Sequence, residues 1–313
     1  MKFRLMTFPL TAAVFAAFLF TPSALAASPG RWAKAAPMPD ERSEVALAAL
    51  GGKIYLAGGF GDSGNLLVYD PAANRWEKRA PLPRPVHHAG AAAAGGRFYI
   101  IGGYRGGWRP VAHVFEYDPG KDRWRERAPL PTPRGALAVA VLGGKIHALG
   151  GVGAGGSNTG AHEVYDPGTN RWSKLPPLPT PRDHFAAAAL NGRIYALGGR
   201  IDGSYARNLA ANEEYDPKAR RWRKLAPLPE TRSGIAAAAL GGKIFVFGGE
   251  SLLGTYHRVD GFDPARSAWS AHAPMPTARH GLGAAALGGK IYVISGGPTP
   301  GGSYSGDNEV FAP

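Results

Sequence analysis

Short apolar runs and polar breaks alternate along the chain. One stretch shows the unit clearly, with apolar residues 185–190, an Asn191-Gly192 break and apolar residues 194–197. Asn-Gly between two such runs is typical of a type I′ hairpin turn. Residues 213–215 and 222–225 predict two further strands. The pattern therefore predicts a unit of four short antiparallel strands.

The unit repeats along the chain. A Gly-Gly pair ends an apolar run at steps of 44, 48, 48, 50 and 48 residues. The pairs are Gly58-Gly59, Gly102-Gly103, Gly150-Gly151, Gly198-Gly199, Gly248-Gly249 and Gly296-Gly297. Repeats of this length indicate stacked or radial architectures, in which each unit buries its apolar face against the next.

An aromatic-Asp-Pro motif and a tryptophan follow each of the first five Gly-Gly pairs. The tryptophan comes seven residues after the aromatic, as Trp76 follows Tyr69. The sixth copy ends at Phe311-Ala312-Pro313 without a tryptophan, whereas Trp32 has no repeat before it. Because the last repeat lacks a tryptophan and Trp32 lacks a repeat, we predict that residues 31–39 supply the outer strand of the last repeat and close a ring.

These Gly-Gly, Tyr-Asp-Pro and Trp motifs resemble those of the kelch family. The resemblance implies an all-β, six-bladed β-propeller of four-stranded blades around a central channel. Residues 27–313 then form one domain, in which the N-terminal strand closes the last blade. The predicted blades are 42–83, 86–131, 134–179, 182–229, 232–276 and 279–313. The tryptophans and the alanine runs, such as 186–189, are interpreted as packing between and at the centre of the blades.

Composition restricts the chemistry and the location. The chain has a formal net charge of +13 and no cysteine, which excludes disulfides and thiol chemistry. Lys2 and Arg4, an apolar run and Ala24-Leu25-Ala26 are typical of a signal peptide over residues 1–26. We expect a secreted or periplasmic protein without a membrane anchor after cleavage; a retained anchor is the alternative. Much of the excess positive charge lies beside the tryptophans, and no nucleic-acid-binding motif accompanies it, so no nucleic-acid partner is expected.

A second basic set points to one face of the domain. Ten residues after five of the tryptophans an arginine begins the innermost strand, and the remaining repeat has Val86 instead. The arginines are Arg42, Arg134, Arg182, Arg232 and Arg279. Antiparallel alternation places the variable loops after Gly-Gly on the same face. Each arginine either braces its blade or binds a ligand, and the resemblance implies that kelch proteins use this face for partners, including acidic ones.

The loops on this face carry the candidate binding residues Tyr104, Trp108, Tyr205 and Tyr256. Variable loops on a rigid scaffold are typical binding elements. Together with the five arginines they predict a module that recognises a protein segment or a glycan, with acidic ligands among the candidates. We assign no catalytic residue and no cofactor.

Two enzymatic functions are alternatives to binding. A copper radical oxidase with the kelch fold needs a Cys-Tyr crosslink, which this sequence excludes. The alternative function is an acidic-sugar mutarotase of the sialic-acid type, since an exported six-bladed propeller resembles such enzymes. Its carboxylate would be Glu44 beside Arg42, or Asp183 with His184 beside Arg182. The histidines are scattered over different repeats, so the sequence predicts no metal site.

Overall fold

A computed structural model describes Met1, residues 29–61 and residues 64–313. Within these residues all elements are β-strands, and six four-stranded antiparallel sheets surround one axis. The predicted six-bladed propeller is therefore confirmed. The rest of the predicted signal peptide, residues 2–26, lies outside the described residues.

The four strands of each blade run from the axis to the rim. The first strands are Ala46–Leu50, Gly90–Ala94, Ala138–Leu142, Ala186–Leu190, Ala236–Leu240 and Gly283–Leu287. The second strands are Lys53–Ala57, Arg97–Ile101, Lys145–Leu149, Arg193–Leu197, Lys243–Phe247 and Lys290–Ile294. The third strands are Leu66–Asp70, Val114–Asp118, His162–Asp166, Asn212–Asp216, Val259–Asp263 and Asn308–Ala312. The fourth strands are Arg75–Arg79, Arg123–Glu126, Arg171–Leu175, Arg221–Lys224, Ala268–Ala271 and Arg31–Lys34.

Short two-stranded ribbons extend four blades on one face. They are Tyr104–Arg105 with Arg109–Pro110, Arg134–Gly135 with Val152–Gly153, Arg200–Ile201 with Ser204–Asn208, and Glu250–Ser251 with Gly254–Thr255. Because each ribbon includes a strand that follows a Gly-Gly pair, the variable loops stand together on the face where the first strands begin.

The N-terminal strand closes the sixth blade as predicted. Arg31–Lys34 pairs antiparallel with Asn308–Ala312, with Trp32 opposite Phe311. The indole nitrogen of Trp32 also donates a hydrogen bond of 2.9 Å to the carbonyl of Ala273, in the fifth blade. The rim tryptophans of the other five blades donate in the same way to the neighbouring blade, at 2.8–3.0 Å. The ring is thus joined by one repeated contact.

Alanine-rich first strands surround the axis and line a cavity of about 380 Å³. In the first strand Ala186–Leu190, side chains alternate between buried and half-buried, since one side packs in the blade core and the other faces the axis. Small side chains allow six strands to approach one axis, which confirms the packing interpretation of the alanine runs.

The Gly-Gly pair connects each blade to the next. The second glycine donates its N–H to the carbonyl of the residue at the arginine position, as from Gly151 to Arg182 at 2.8 Å. A Cβ on the first glycine of this pair, Gly150, would lie 2.9 Å from the same carbonyl. In the sixth blade this pair is Ser295-Gly296 and not Gly296-Gly297, because Ser295 and Gly296 have the positive φ angles of the other pairs. The last repeat is therefore one residue shorter than the sequence spacing indicates.

Candidate functional site

The five repeated arginines are buried within their own blades. Arg42, Arg134, Arg182, Arg232 and Arg279 are all 0% exposed. Four of them form an ion pair with a carboxylate of the third strand at 2.6–2.8 Å, as Arg182 does with Glu213. Arg182 also donates to the carbonyl of Ala196 at 2.9 Å. These contacts brace the blade, and none of the five arginines is exposed toward the loops.

The exceptions support the bracing interpretation. The blade with Val86 at the arginine position has Phe115 at the carboxylate position, and both side chains belong to one apolar cluster. In the first blade the third strand has Leu67 at that position, and Arg42 pairs instead with Asp40 at 3.0 Å. Where the arginine position is apolar the carboxylate position is apolar too, as expected of a structural contact between the two positions. The five arginines are therefore corrected from ligand-binding residues to braces.

A ring of backbone hydrogen bonds surrounds the axis two residues after the arginine position. Each of six N–H groups donates to the carbonyl of its counterpart in a neighbouring blade, at 2.7–3.2 Å. The ring residues are Glu44, His88, Ala136, His184, Gly234 and Gly281. All six have left-handed backbones with φ between 50° and 63°. Non-glycine residues rarely adopt this conformation, so its repetition shows that the closed ring imposes it.

The ring directs a few side chains into the axis. A Cβ on Gly281 would lie 2.5 Å from Oε1 of Glu44, so the glycine leaves the space that this carboxylate occupies. The ring residues and their neighbours enclose a cavity of about 100 Å³. The three ring positions with no large side chain, Ala136, Gly234 and Gly281, thus make room for Glu44, His88 and His184.

Acidic and imidazole groups converge at this point. Nε2 of His88 lies 3.4 Å from Oε2 of Glu44, and Nε2 of His280 lies 3.7 Å from Oε1 of the same residue. His280 also lies 3.5 Å from Oε2 of Glu250. His184 contacts Asp183 through its Nδ1 and stacks edgewise on His88 at 4.8 Å. We call Glu44, His88, His184, Glu250 and His280 the axial cluster.

Arg200 is the cation that faces the axial cluster. Its guanidinium pairs with Glu250 at 2.7 Å and with Asp183 at 3.4 Å, and it lies 4.5 Å from the ring centre of Tyr205. Burial opposes its charge, yet Glu250 and Asp183 together raise the pKa of Arg200. Burial also opposes ionisation of Asp183, but the hydrogen bond to His184 and the charge of that histidine lower the pKa of the carboxyl.

The hydrogen bonds fix the proton positions on two of the histidines. Nε2 of His87 lies 2.9 Å from the carbonyl of Gly107, and its Nδ1 lies 2.7 Å from Nδ1 of His88. A carbonyl only accepts, so His87 carries its proton on Nε2. Burial lowers the pKa of His87, and burial followed by the charges of His184 and His87 lowers the pKa of His88 well below its usual value. Two neutral rings in this contact require His88 to donate from Nδ1, which leaves its Nε2 without a proton.

A pocket of about 420 Å³ opens beside the axial cluster. Tyr104, Trp108 and Tyr205 form its aromatic walls, and Asp183, His184 and Arg200 are among its polar residues. Trp108 is 61% exposed, although Tyr104 beneath it is buried. We call this space the mouth pocket. Its size is that of a typical small-ligand site.

The predicted loop residues divide into two groups. Tyr104, Trp108 and Tyr205 line the mouth pocket, whereas Tyr256 lies in another loop and is absent from its lining. Glu44, Asp183 and His184 are brought together, but beside Arg200 and not beside Arg42 or Arg182. Sequence reasoning missed Arg200 entirely. The available signal was its place directly after Gly199, where the chain turns back over the face.

Within the described residues no helix is long and apolar enough to cross a membrane. The model of the KLHDC2/KLHL20/DRC7 Kelch-repeats domain matches residues 16–199 and 165–312. No curated protein sequence matches the chain. A solved structure described as "Structure of YjhT" is similar with a TM-score of 0.77 and 17% identity, covering 87% of this chain and 95% of that chain. At this identity the likeness shows the fold.

Proposed function

The chain belongs to the kelch-repeat family, and from that premise we propose that it is a binding protein that takes a carbohydrate in the mouth pocket. The observation that carries the proposal is the composition of this pocket. Exposed Trp108 and half-buried Tyr205 offer ring faces, and Arg200 and Asp202 offer polar groups around them. Aromatic faces combined with a few fixed polar groups are suited to the apolar faces and hydroxyls of a sugar ring.

The charge around the pocket favours a neutral sugar. Glu44, Asp183 and Glu250 supply three carboxylates near its floor, and Arg200 balances part of their charge. The five arginines that suggested an acidic ligand are buried braces. We therefore propose a neutral glycan over an acidic one. A concave pocket of this volume also suits a sugar better than a folded protein surface.

Binding to a panel of glycans, followed by titration calorimetry, tests the proposal. Trp108→Ala is expected to weaken binding at least about tenfold, the factor that about 1.4 kcal/mol of contact energy represents. Leu253→Ser is the matched control, because Leu253 is 99% exposed on another loop and outside the pocket. Binding of a peptide library instead of glycans, with the same dependence on Trp108, would identify a protein segment as the ligand and contradict the sugar proposal.

The contact between Asp183 and His184 favours sugar mutarotation as a second candidate. A mutarotase removes the proton of the anomeric hydroxyl and returns a proton to the ring oxygen, so that the ring bond breaks and re-forms. His184, oriented by Asp183 and lining the pocket, is suited to the base role. The candidate predicts that NMR exchange between anomers is accelerated and that His184→Gln abolishes the acceleration. Uncatalysed rates across neutral and acidic sugars would reject it.

We propose further that the protein acts outside the cytoplasm, on the evidence of the basic and apolar residues 1–26. Expression of the full chain should yield a mature N-terminus at Ala27 in the periplasm or medium. Deletion of residues 2–26 should retain the protein in the cytoplasm. An intact N-terminus on the exported protein, or a membrane-bound product, would contradict this proposal.

A further inference from the structure

Hydrogen-bond acceptors face one another in the axial cluster. The proton order of the His87–His88 pair leaves Nε2 of His88 bare, and this atom lies 3.4 Å from Oε2 of Glu44. An imidazole lone pair and a carboxylate oxygen repel each other at this distance unless a cation lies between them. The arrangement therefore calls for a cation at this point.

The same arrangement recurs on the other side of Glu44. Nδ1 of His280 lies 3.1 Å from the carbonyl of Gly297 and must donate to it, so Nε2 is the nitrogen of this ring that faces the carboxylates. That Nε2 lies 3.7 Å from Oε1 of Glu44. Both oxygens of one carboxylate thus face imidazole nitrogens, in a cavity where Gly281 has left room for the carboxylate.

His184 completes a set of three ligands. Its Nδ1 contacts Asp183, so the carboxylate fixes the ring and leaves Nε2 for another partner. Ligand atoms of Glu44, His88 and His184 all lie within 4.8 Å of one another. A carboxylate that holds the far nitrogen of a metal-bound histidine is a recurrent feature of metal sites, because it fixes the ring and raises its basicity.

We propose that Glu44, His88 and His184 bind a divalent first-row transition-metal ion, such as Zn²⁺, at the axis of the propeller. Two imidazoles and one carboxylate are a donor set that such ions accept. Bonds of about 2.0–2.1 Å in a tetrahedral site place two ligand atoms roughly 3.3 Å apart. The separation of 3.4 Å between His88 and Glu44 matches this spacing.

The position of the site gives the ion an open side. His184 lines both the axial cavity and the mouth pocket, so a ligand in the pocket can reach the fourth coordination position. This goes beyond the proposed function, because it adds a metal with a free position to the floor of the binding pocket.

A second set of three groups shares Glu44 but is engaged elsewhere. Glu250 pairs with Arg200 at 2.7 Å through Oε1 and accepts the N–H of Gly301 at 3.2 Å through Oε2. Both oxygens of Glu250 are thus engaged, and His280 lies between Glu250 and Glu44, where it orients the carboxylate of Glu44. We therefore assign the ion to Glu44, His88 and His184.

Calorimetry of the chelator-treated, untagged protein with Zn²⁺ tests the assignment. We expect one ion per chain, with at least 100-fold weaker binding in Glu44→Gln and in His88→Gln. Asp183→Asn should weaken binding about 10–100-fold, because it removes the group that orients His184. His113→Gln is the matched control, since His113 lies outside the cluster and its loss should leave the affinity unchanged.

X-ray absorption at the zinc edge gives a second readout that does not depend on the folding of any variant. A shell of nitrogen and oxygen ligands with imidazole scattering is expected for the wild-type protein. Absence of stoichiometric binding at micromolar Zn²⁺, or equal affinity in Glu44→Gln and the control, would overturn the proposal and indicate that a proton joins His88 to Glu44. Glycan titrations of the metal-free protein separate this outcome from failure of the proposed function.

Discussion

The five repeated arginines and the axial ring residues two positions after them lie on the same face of the propeller, but they differ in how they repeat and in what they contact. The arginines recur in five blades and are bound by carboxylates and carbonyls of their own blade. The ring residues after them change from blade to blade and place acceptors opposite acceptors. In this protein the residues that repeat stabilise the scaffold, and those that depart from the repeat, on the loop face, form the site.

Breaking a brace is the largest expected effect. Arg182→Ala leaves Glu213 buried without its partner and should lower the free energy of unfolding by about 3–5 kcal/mol. Arg182→Met combined with Glu213→Leu should recover most of this loss, because the Val86–Phe115 blade uses an apolar pair at the same place. Chemical denaturation measures both. A loss below about 1 kcal/mol in the single variant, with weaker glycan binding, would show that the arginine serves the ligand.

Two core residues that differ from their counterparts in another blade test whether such a difference is enough to form a binding site. His147 and His162 are in contact at 2.9 Å where another blade has Tyr195 and Asn212. Burial lowers the pKa of His147 to about 4 and that of His162 to about 3. The unfolded chain therefore binds more protons below pH 6.5, and stability falls as the pH is lowered from there toward these values.

Together the two histidines should cost about 2 kcal/mol of stability between pH 7 and pH 5.5. The variant His147→Tyr with His162→Asn copies the other blade and should remove this dependence, while Zn²⁺ and glycan binding stay unchanged. Denaturation curves at the two pH values measure the difference. An unchanged pH dependence would mean that other groups control it, and altered ligand binding would extend the site into the core.

The smallest expected effect concerns the backbone ring. Ala136 holds a left-handed conformation with φ 52° and contributes only a methyl group. Ala136→Gly should raise the free energy of unfolding by about 0.5–1 kcal/mol, because glycine adopts this conformation without steric cost. Ala188→Gly, in a regular strand, is the control and should lower it by a similar amount. Destabilisation by Ala136→Gly would show that the ring does not impose the conformation.

Much of the fold could be predicted because its signals are local and repeated. The Asn191-Gly192 turn has the two positive φ angles that its sequence indicates. Trp32 was matched to the last blade only by counting motifs, and it pairs there. The offset at Ser295 escaped prediction because a neighbouring glycine pair satisfies the same pattern, and only the backbone shows which pair contacts the next blade.

The site was predicted in part. Trp108 stood out as the one tryptophan of seven outside the repeat, and it lies at the mouth pocket. The arginines were assigned to the ligand because the sequence shows on which face of the propeller they lie but not how deeply their side chains are buried. His88, His184 and His280 seemed scattered, since they are separated by 96 residues each. Arg200 had no motif of its own.

The sequence by itself determined the number of blades, the closure of the ring and the face that carries the variable loops. Each of these follows from the spacing of the Gly-Gly, aromatic-Asp-Pro and tryptophan motifs, which is visible within the repeats. Only the tertiary structure decided which side chains meet at the axis. That depends on a closed circle of backbone hydrogen bonds, which brings side chains from three other blades close to Glu44 and Glu250. Because the ring is closed, residues at equivalent positions of distant repeats become neighbours at the axis. No local sequence pattern encodes these contacts.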